Sequence, residues 1–561
     1  MLPALLLVGC AHRPVTLHIA AINDFHGALY ETPLKDEPGR AHGGLPWLVG
    51  ALNALRADDP DLVVLDGGDL FQGAWAVNKS FGRAAVDSFE LMGVDAGAVG
   101  NHEFDYGPGD VPNGGLVAAL EAAAVATSHQ WLTANVSTAT GERWAPEGIT
   151  PWVILRRKGV RLGIIGLTTE HTPQTTKGSN VVDLRFGDVV EAVRDVLPVL
   201  HDQGVAAVIV VGHLSGKCDP TGFSAAPPDC VPDGEIGRLL TELPPGSIDL
   251  IVAGHAHTFL ATRVGDTFVV ENRDKGRVIG LVDLVIGKEG VDADKTQLRH
   301  WELIHDKVDP GCEAGEYSLA PRDVGGREVT PSAAALELVR RYEKEAGTLC
   351  SAVGCADSPL GRSREGESGV GDLVADAMLA AFPGADVALT NSGGLRDDLR
   401  AGTVRRQDLQ QIMPFDNRLV MVEMTGKQLL LLLRLGTSGG HGLLQVSGLS
   451  LSFDPTSEAG DDLDADGAVA EWERDRLCSA VVAGNPIDEK KTYQVVTTDF
   501  LFNGGDHLDL AFAHSNTPVE GPLLRDWLFD WFPMLPGCVG ATPLPDPLAP
   551  RISATPGCVH R

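Results

Sequence analysis

Residues 16–27 read Thr-Leu-His-Ile-Ala-Ala-Ile-Asn-Asp-Phe-His-Gly. Thr16–Ile22 is a compact, mostly apolar run of the kind that fits a buried strand. Just beyond it stand Asp24 and His26, two residues apart, a spacing that puts both side chains on one side of an extended chain. Similar runs follow at Leu62–Leu65, Leu162–Leu167, Ala207–Val211 and Ile248–Ala253. Between the first two runs, Leu45, Leu48, Val49, Leu52 and Leu55 recur at helical spacing. Strands alternating with helices from Val15 to about Gly287 predict an α/β layered fold. In such folds, sites collect at the carboxyl ends of the strands.

Chemistry-bearing residues follow each of these runs within a few positions. The second run leads to Asp66-Gly67-Gly68-Asp69, where glycines let the backbone turn tightly and bring a carboxylate close to an ion. Gly100-Asn101-His102-Glu103-Phe104-Asp105 comes next. His213 follows the run at 207–212, and His255 and His257 follow Ile251-Val252-Ala253-Gly254. Each group alone is a weak signal; a series of them is not. Carboxylate, imidazole and amide oxygen together suit divalent ions of the Zn, Mn, Co or Fe class. A carboxylate such as Asp69 can bridge two ions about 4 Å apart.

The order D-x-H, G-D, G-N-H-E, a later His and G-H-x-H resembles that of the calcineurin-like metallophosphoesterases. The strings IAAINDFHGAL (19–29) and GNHEFDYG (100–107) look like the two signatures of 5′-nucleotidases. The resemblance implies a four-layer metallophosphoesterase sandwich followed by a smaller α+β nucleotide-recognition domain. It implies one metal held by Asp24, His26, Asp69 and His257, and another by Asp69, Asn101, His213 and His255. His102 and Asp105 match the family's catalytic dyad. Two cations lower the pKa of a shared water and offset the charge on phosphoryl oxygens. His102 would either stabilise the phosphoryl group or help the leaving oxygen, with Asp105 orienting its ring. The string Asp66-Gly67-Gly68-Asp69 departs slightly from the family's Asp-Ala-Gly-Asp.

Four segments of the second half carry the resemblance further. Asn391-Ser392-Gly393-Gly394-Leu395-Arg396 resembles NGGGIR, and Pro414-Phe415-Asp416-Asn417 resembles PFGN. Residues 500–506, Phe-Leu-Phe-Asn-Gly-Gly-Asp, resemble F-L-x-N-G-G-D, and the stretch 372–378 resembles a G-N-L-x-x-D-A-M helix. By that likeness Phe415 and Phe500 clamp a nucleobase, Asp506 binds ribose hydroxyls, Arg396 and Arg364 bind phosphate, and Asn391 is a further substrate-binding residue. Ring-on-base stacking is worth ~1–3 kcal/mol and tolerates many bases. The implied activity is hydrolysis of nucleotide phosphate esters, with UDP-sugars as further substrates. The alternatives are a 2′,3′-cyclic-nucleotide 2′-phosphodiesterase/3′-nucleotidase, a thiosulfohydrolase relative, and a non-catalytic surface protein that binds nucleotides.

A chain of 561 residues is too long for one ordinary domain. The divisions expected are a leader with lipobox (1–14), a catalytic domain (15–305), a linker and bridging helix (306–348), a substrate-binding domain (349–532) and a Pro/Gly-rich tail (533–561). The formal net charge of −31 argues against a nucleic-acid polymer as partner, which would need a basic face. The acidic surface equally makes a covalent lipid the expected route to a membrane. Leu7-Val8-Gly9-Cys10 resembles a lipobox with Cys10 as the lipidated residue, which implies an exported protein, periplasmic or at the outer cell surface. The other eight cysteines fit disulfides in an oxidising compartment, with Cys218–Cys230 and Cys538–Cys558 as trial pairs among 105 connectivities. Finally, Asp462-Leu463-Asp464-Ala465-Asp466-Gly467 running on to Glu473 fits a calcium loop, with Asp462, Asp464, Asp466, the Ala468 carbonyl and Glu473 as ligands.

Overall fold

The computed structural model describes residues 14–34, 37, 39–107, 117–218, 232–307, 312, 317–347, 349–464, 467–513, 515–540 and 550–558. Cys10, Cys230 and Asp466 lie outside these residues.

The first half is built on two sheets. Strands β1 (Val15–Ile22), β2 (Val63–Asp66), β3 (Ala96–Ala98) and β4 (Gln130–Leu132) run parallel side by side in the first. Strands β5 (Val160–Thr168), β6 (Ala207–His213), β7 (Leu250–Gly254) and β8 (Thr267–Asn272) do the same in the second. Strand β9 (Val278–Gly287) returns to the first sheet, antiparallel to β1. The strand runs read from the sequence are found within two residues of their expected ends. Leu17, Ile19, Leu65, Ile164, Ile209 and Val252 fill the space between the sheets. Both faces of each sheet are therefore buried, which is why these strands read as continuous apolar runs.

Helix α1 (Leu45–Asp58) lays Leu45, Leu48, Val49 and Leu52 on the outer face of the first sheet. Helices α2 (Val189–Asp202) and α3 (Gly234–Glu242) cover the outer face of the second. The result is the four-layer sandwich expected. Helix α4 (Ala333–Ala346) starts at Ser332, whose hydroxyl accepts from the Ala335 amide at 3.2 Å. It buries Leu338, Val339 and Tyr342 against the α1 side of the sandwich.

The second half centres on a five-stranded sheet, in the order Leu444–Ser447, Val387–Asn391, Thr492–Thr498, Arg418–Thr425, Val519–Leu523. Cores lie on both of its faces. Helix α5 (Gly369–Ala381) packs on one and helix α6 (Gly426–Thr437) on the other. Near the chain's end, Ile552–Ala554 adds a parallel strand to Leu449–Phe453. No helix among the described residues is long and apolar enough to cross a membrane.

The cysteine pairing corrects one expectation. Cys538 and Cys558 are not joined to each other. Cys355 pairs with Cys538 and Cys478 with Cys558, so each ties the chain's end to a different part of the second half. Cys312 pairs with Cys350. Cys218 is disulfide-bonded, and its expected partner Cys230 is outside the described residues.

Candidate metal centre and substrate cleft

All seven residues expected as metal ligands gather at the carboxyl ends of β1, β2, β3, β6 and β7. Parallel pairing forces this: Ile22 of β1 is level with Asp66 of β2, and His213 of β6 with Gly254 of β7. Asp24 Oδ1 stands 3.1 Å from His257 Nε2, which is 3.0 Å from His26 Nε2. Asp69 Oδ2 lies 3.1 Å from His213 Nε2 and 3.8 Å from His26 Nε2, between the two groups. His255 Nδ1 closes the second group, 3.1 Å from Asn101 Oδ1 and 3.2 Å from His213 Nε2.

The surroundings fit a pair of ions, because outer partners aim the free lone pairs inward. The Asn101 amide donates to the Thr175 carbonyl at 3.0 Å, which leaves its oxygen facing His255. The Nδ1 of His213 lies 3.0 Å from the Gly67 carbonyl, and that of His257 3.8 Å from Asp274. Five of the seven residues, Asp24, His26, Asp69, His255 and His257, hold positive φ. Such backbone is costly for side-chain-bearing residues and clusters where a site over-determines it. Burial pushes the pKa of His255 down to about 3 and lowers those of His26 and His257, so these imidazoles stay neutral, as ligands must be. Burial raises the Asp24 carboxyl, yet His257 and His213 outweigh it and hold it at about 2. His213 goes the other way. Burial opposes its charge, but Asp69 overrides that and lifts it to about 10.

His102 sits beside this centre, its Nε2 4.0 Å from Asp69 Oδ2 and its Nδ1 2.6 Å from Asp105 Oδ2. On its other side are residues of the second half. The Phe415 ring lies 6.0 Å from the His102 ring, and the Arg396 guanidinium lies 5.0 Å over Phe415. Burial and the nearby Arg364 and Arg362 lower the Arg396 pKa to about 10. Asp506 accepts from the Asn391 amide at 2.7 Å and faces His441 at 3.9 Å. Phe500 packs against Gly505, where a Cβ would meet its ring at 2.4 Å. Of the expected substrate residues, Phe415 and Arg396 stand at His102, Asn391 pairs with Asp506, and Arg364 lies close enough to both Arg396 and Asp506 to act on their charges.

Some residues of this region carried no functional reading in the sequence. Glu103 is fully buried, and its two oxygens accept from the amides of Asp69, Leu70, Phe71 and Gly100. It fixes the turn that presents Asp69. Its place inside the G-N-H-E string was the available signal. Trp472 stacks on His507 at 4.6 Å, next to Asp506, and no spacing foretold that. In the loop at 462–473, carboxylate oxygens of Asp462, Asp464 and Glu473 lie within 4.8 Å of one another. Gly467 there has a φ of 96°, and its amide donates to Asp462 at 3.0 Å.

The comparisons with known proteins follow the same two halves. Residues 17–259 match the calcineurin-like phosphoesterase family and residues 347–514 the 5′-nucleotidase C-terminal domain. A cell wall protein of Listeria monocytogenes is 29% identical over 547 residues, covering 90% of this chain and 65% of that protein. A probable 5′-nucleotidase of Treponema pallidum is 25% identical over 567 residues, covering 93% of each. The chain spans less than two thirds of the first relative's length, and 39% and 30% of two Bacillus subtilis relatives. The crystal structure of a 5′-nucleotidase precursor from Thermus thermophilus superposes with a TM-score of 0.74 at 24% identity, covering 96% of this chain and 99% of that one.

Proposed function

This chain belongs to the 5′-nucleotidase family, a calcineurin-like phosphoesterase domain followed by a 5′-nucleotidase C-terminal domain, and from that premise we propose that it hydrolyses the phosphate esters of nucleotides. In this reading Asp24, His26, Asp69 and His257 hold one divalent ion, and Asp69, Asn101, His213 and His255 the other. Bound there, two ions supply an activated water and neutralise phosphoryl charge. His102, oriented by Asp105, donates to the phosphoryl group or its leaving oxygen. Arg396 and Arg364 take phosphate, a task suited to the planar guanidinium fork. Phe415 and Phe500 take the base, and Asp506 and Asn391 the ribose end.

The observation that carries this reading is the approach of Phe415 and Arg396, from the second half, to His102. A general phosphoesterase has no need of an aromatic ring and a cation from another domain at its dyad. The test is phosphate release from AMP, ATP, UDP-glucose, 2′,3′-cyclic AMP and an aryl phosphate, with added Mn²⁺ or Zn²⁺. AMP turnover that falls at least ~100-fold in His102→Ala, the scale of lost general acid catalysis, and also falls in Phe415→Ala/Phe500→Ala, is expected. Cleavage of the aryl phosphate alone would retain the metal centre and reject the base clamp.

Calcium in the loop at 462–473 is a second part of the proposal. The gathered carboxylates of Asp462, Asp464 and Glu473 support it. Calorimetry should give a Ca²⁺ binding heat in the wild type that is absent in Glu473→Gln. The same heat in both proteins would reject it.

The disulfides of the second half match an extracytoplasmic location.

A further inference from the structure

The segment at residues 172–180, between β5 and α2, supplies none of the expected ligand or substrate residues, yet it meets Asn101 on one side and the stretch around Phe500 and Asp506 on the other. Thr176 is buried, and its hydroxyl donates to Asp105 Oδ1 at 2.7 Å. The other oxygen of Asp105 is the one that faces His102 Nδ1 at 2.6 Å. The carboxylate is therefore held at both ends, by the Thr176 hydroxyl and by the His102 ring. An acceptor-only carboxylate needs Nδ1 of His102 to carry its proton, which leaves Nε2 turned toward Asp69. Without the hydroxyl, one oxygen loses its donor and the carboxylate is free to turn about its last torsion, a broad and soft one.

The same segment grips the chain around His102 at two further points. Asn180, also buried, donates its amide to the carbonyls of Phe104 and Asp105 at 2.9 and 3.0 Å. The Thr175 carbonyl takes the amide of Asn101 at 3.0 Å. On its opposite side the segment meets the second half. Lys177 Nζ stands 3.8 Å from Asp499 Oδ2, and a Cβ on Gly178 would lie 3.3 Å from the Asn503 carbonyl. Asp499 in turn takes the amides of Arg418 and Phe500 on its other oxygen, at 2.8 and 3.0 Å. One short stretch of chain thus connects the residue before Phe500 to the carboxylate behind His102.

We propose that Thr176 is a positioning residue for the His102–Asp105 pair, and that the segment at 172–180 passes the docking of the second domain to that pair through Lys177 and Asp499. This rests on the reading of His102 and Asp105 as the dyad. Thr176 acts only through Asp105, so its contribution vanishes when Asp105 cannot play its part. It contributes to turnover and not to substrate affinity, because its hydroxyl is directed to Asp105.

The experiment is a double-mutant cycle on the full-length protein with a readout that needs no catalysis. Thr176→Val keeps the shape and removes the donor; Thr176→Ser restores it. Thr176→Val is expected to lower kcat about 10-fold, a loss in keeping with a misplaced catalytic group, with KM unchanged within about twofold. Thr176→Ser should recover most of kcat. In an Asp105→Asn background the Thr176→Val change should cost less than about twofold, because residues acting as a unit are not additive. Lys177→Gln should lower kcat by a smaller factor and add nothing once Thr176 is Val. Independently, the far-downfield proton resonance of the His102 ring N–H, identified by its loss in His102→Gln, should shift or broaden in Thr176→Val and return in Thr176→Ser. An unchanged resonance, or a kcat loss that multiplies with Asp105→Asn, overturns the role of Thr176. A Lys177→Gln loss that multiplies with Thr176→Val overturns the transmission. Normal activity in both His102→Ala and Asp105→Asn would instead reject the dyad, and the resonance would still decide the hydrogen bond.

Discussion

His129 is a histidine whose chemistry is used for packing. It is buried beside Phe89 and Trp131, with ring centroids at 5.4 and 4.6 Å, and neither ring nitrogen has a hydrogen-bond partner. Burial alone pushes its pKa from 6.5 to about 3. Below pH 6.5 the unfolded chain therefore takes up a proton that the folded protein does not. Stability falls as pH drops through the window between 6.5 and about 3. Between pH 7 and pH 5 this one group costs about 2 kcal/mol. His129→Leu should flatten the pH dependence of urea unfolding by that amount, and an identical slope in both proteins would contradict it. The residues of the candidate metal centre differ from His129 in backbone. Asp24, His26, Asp69, His255 and His257 sit in strained backbone that packing alone would not select. The chemical identity of these residues was plain in the sequence, but their strain was not.

Among the elements, α4 shows how far local signals reach. A bridging helix was expected somewhere within 306–348, and in the structure Ser332 caps it at its start. What it packs on was not readable. Tyr342 and Arg341 both reach Asp87 Oδ2, at 2.8 and 2.6 Å, and the Trp75 indole donates to the Ala346 carbonyl at its last turn. Ser332→Ala should cost about 1 kcal/mol, the usual worth of an N-cap, measured by chemical unfolding. A change within error would mean that tertiary packing, not the cap, fixes the helix start. The loop at 462–473 was likewise legible as a set of carboxylates. The stacking of its Trp472 on His507, beside Asp506, came only from the fold.

Across the whole molecule, the two halves meet around Trp75. The fully buried Arg525 stacks 4.8 Å over its ring, pairs with Asp416 and so fixes the segment that carries Phe415. Asn78 and Gln410 add hydrogen bonds from each side of the same contact. Metal binding should stabilise this assembly by mass action, because the ligands converge only when the strands are in place. An ion at about 100 times its Kd adds about 2.7 kcal/mol. A chelator selective for transition ions should therefore lower the thermal midpoint, and Mn²⁺ or Zn²⁺ should restore it. A midpoint that does not move on verified removal of metal would count against the centre.

The layered α/β fold and the Asp and His residues that cluster at the strand ends were legible in the chain's own order of residues, because both rest on short-range facts. An apolar run specifies a buried strand, and the residues just after it must lie at that strand's end. Whatever depends on distance between remote parts of the chain was settled by packing in three dimensions. Cys355 meets Cys538 across 183 residues, although the nearer Cys558 was the expected partner of Cys538. Thr176 reaches Asp105 across 71 residues, and Phe415 reaches His102 from another domain. A threonine in a polar loop carries no pattern of its own, so only the packing of that loop beside Asp105 gives its hydroxyl a partner.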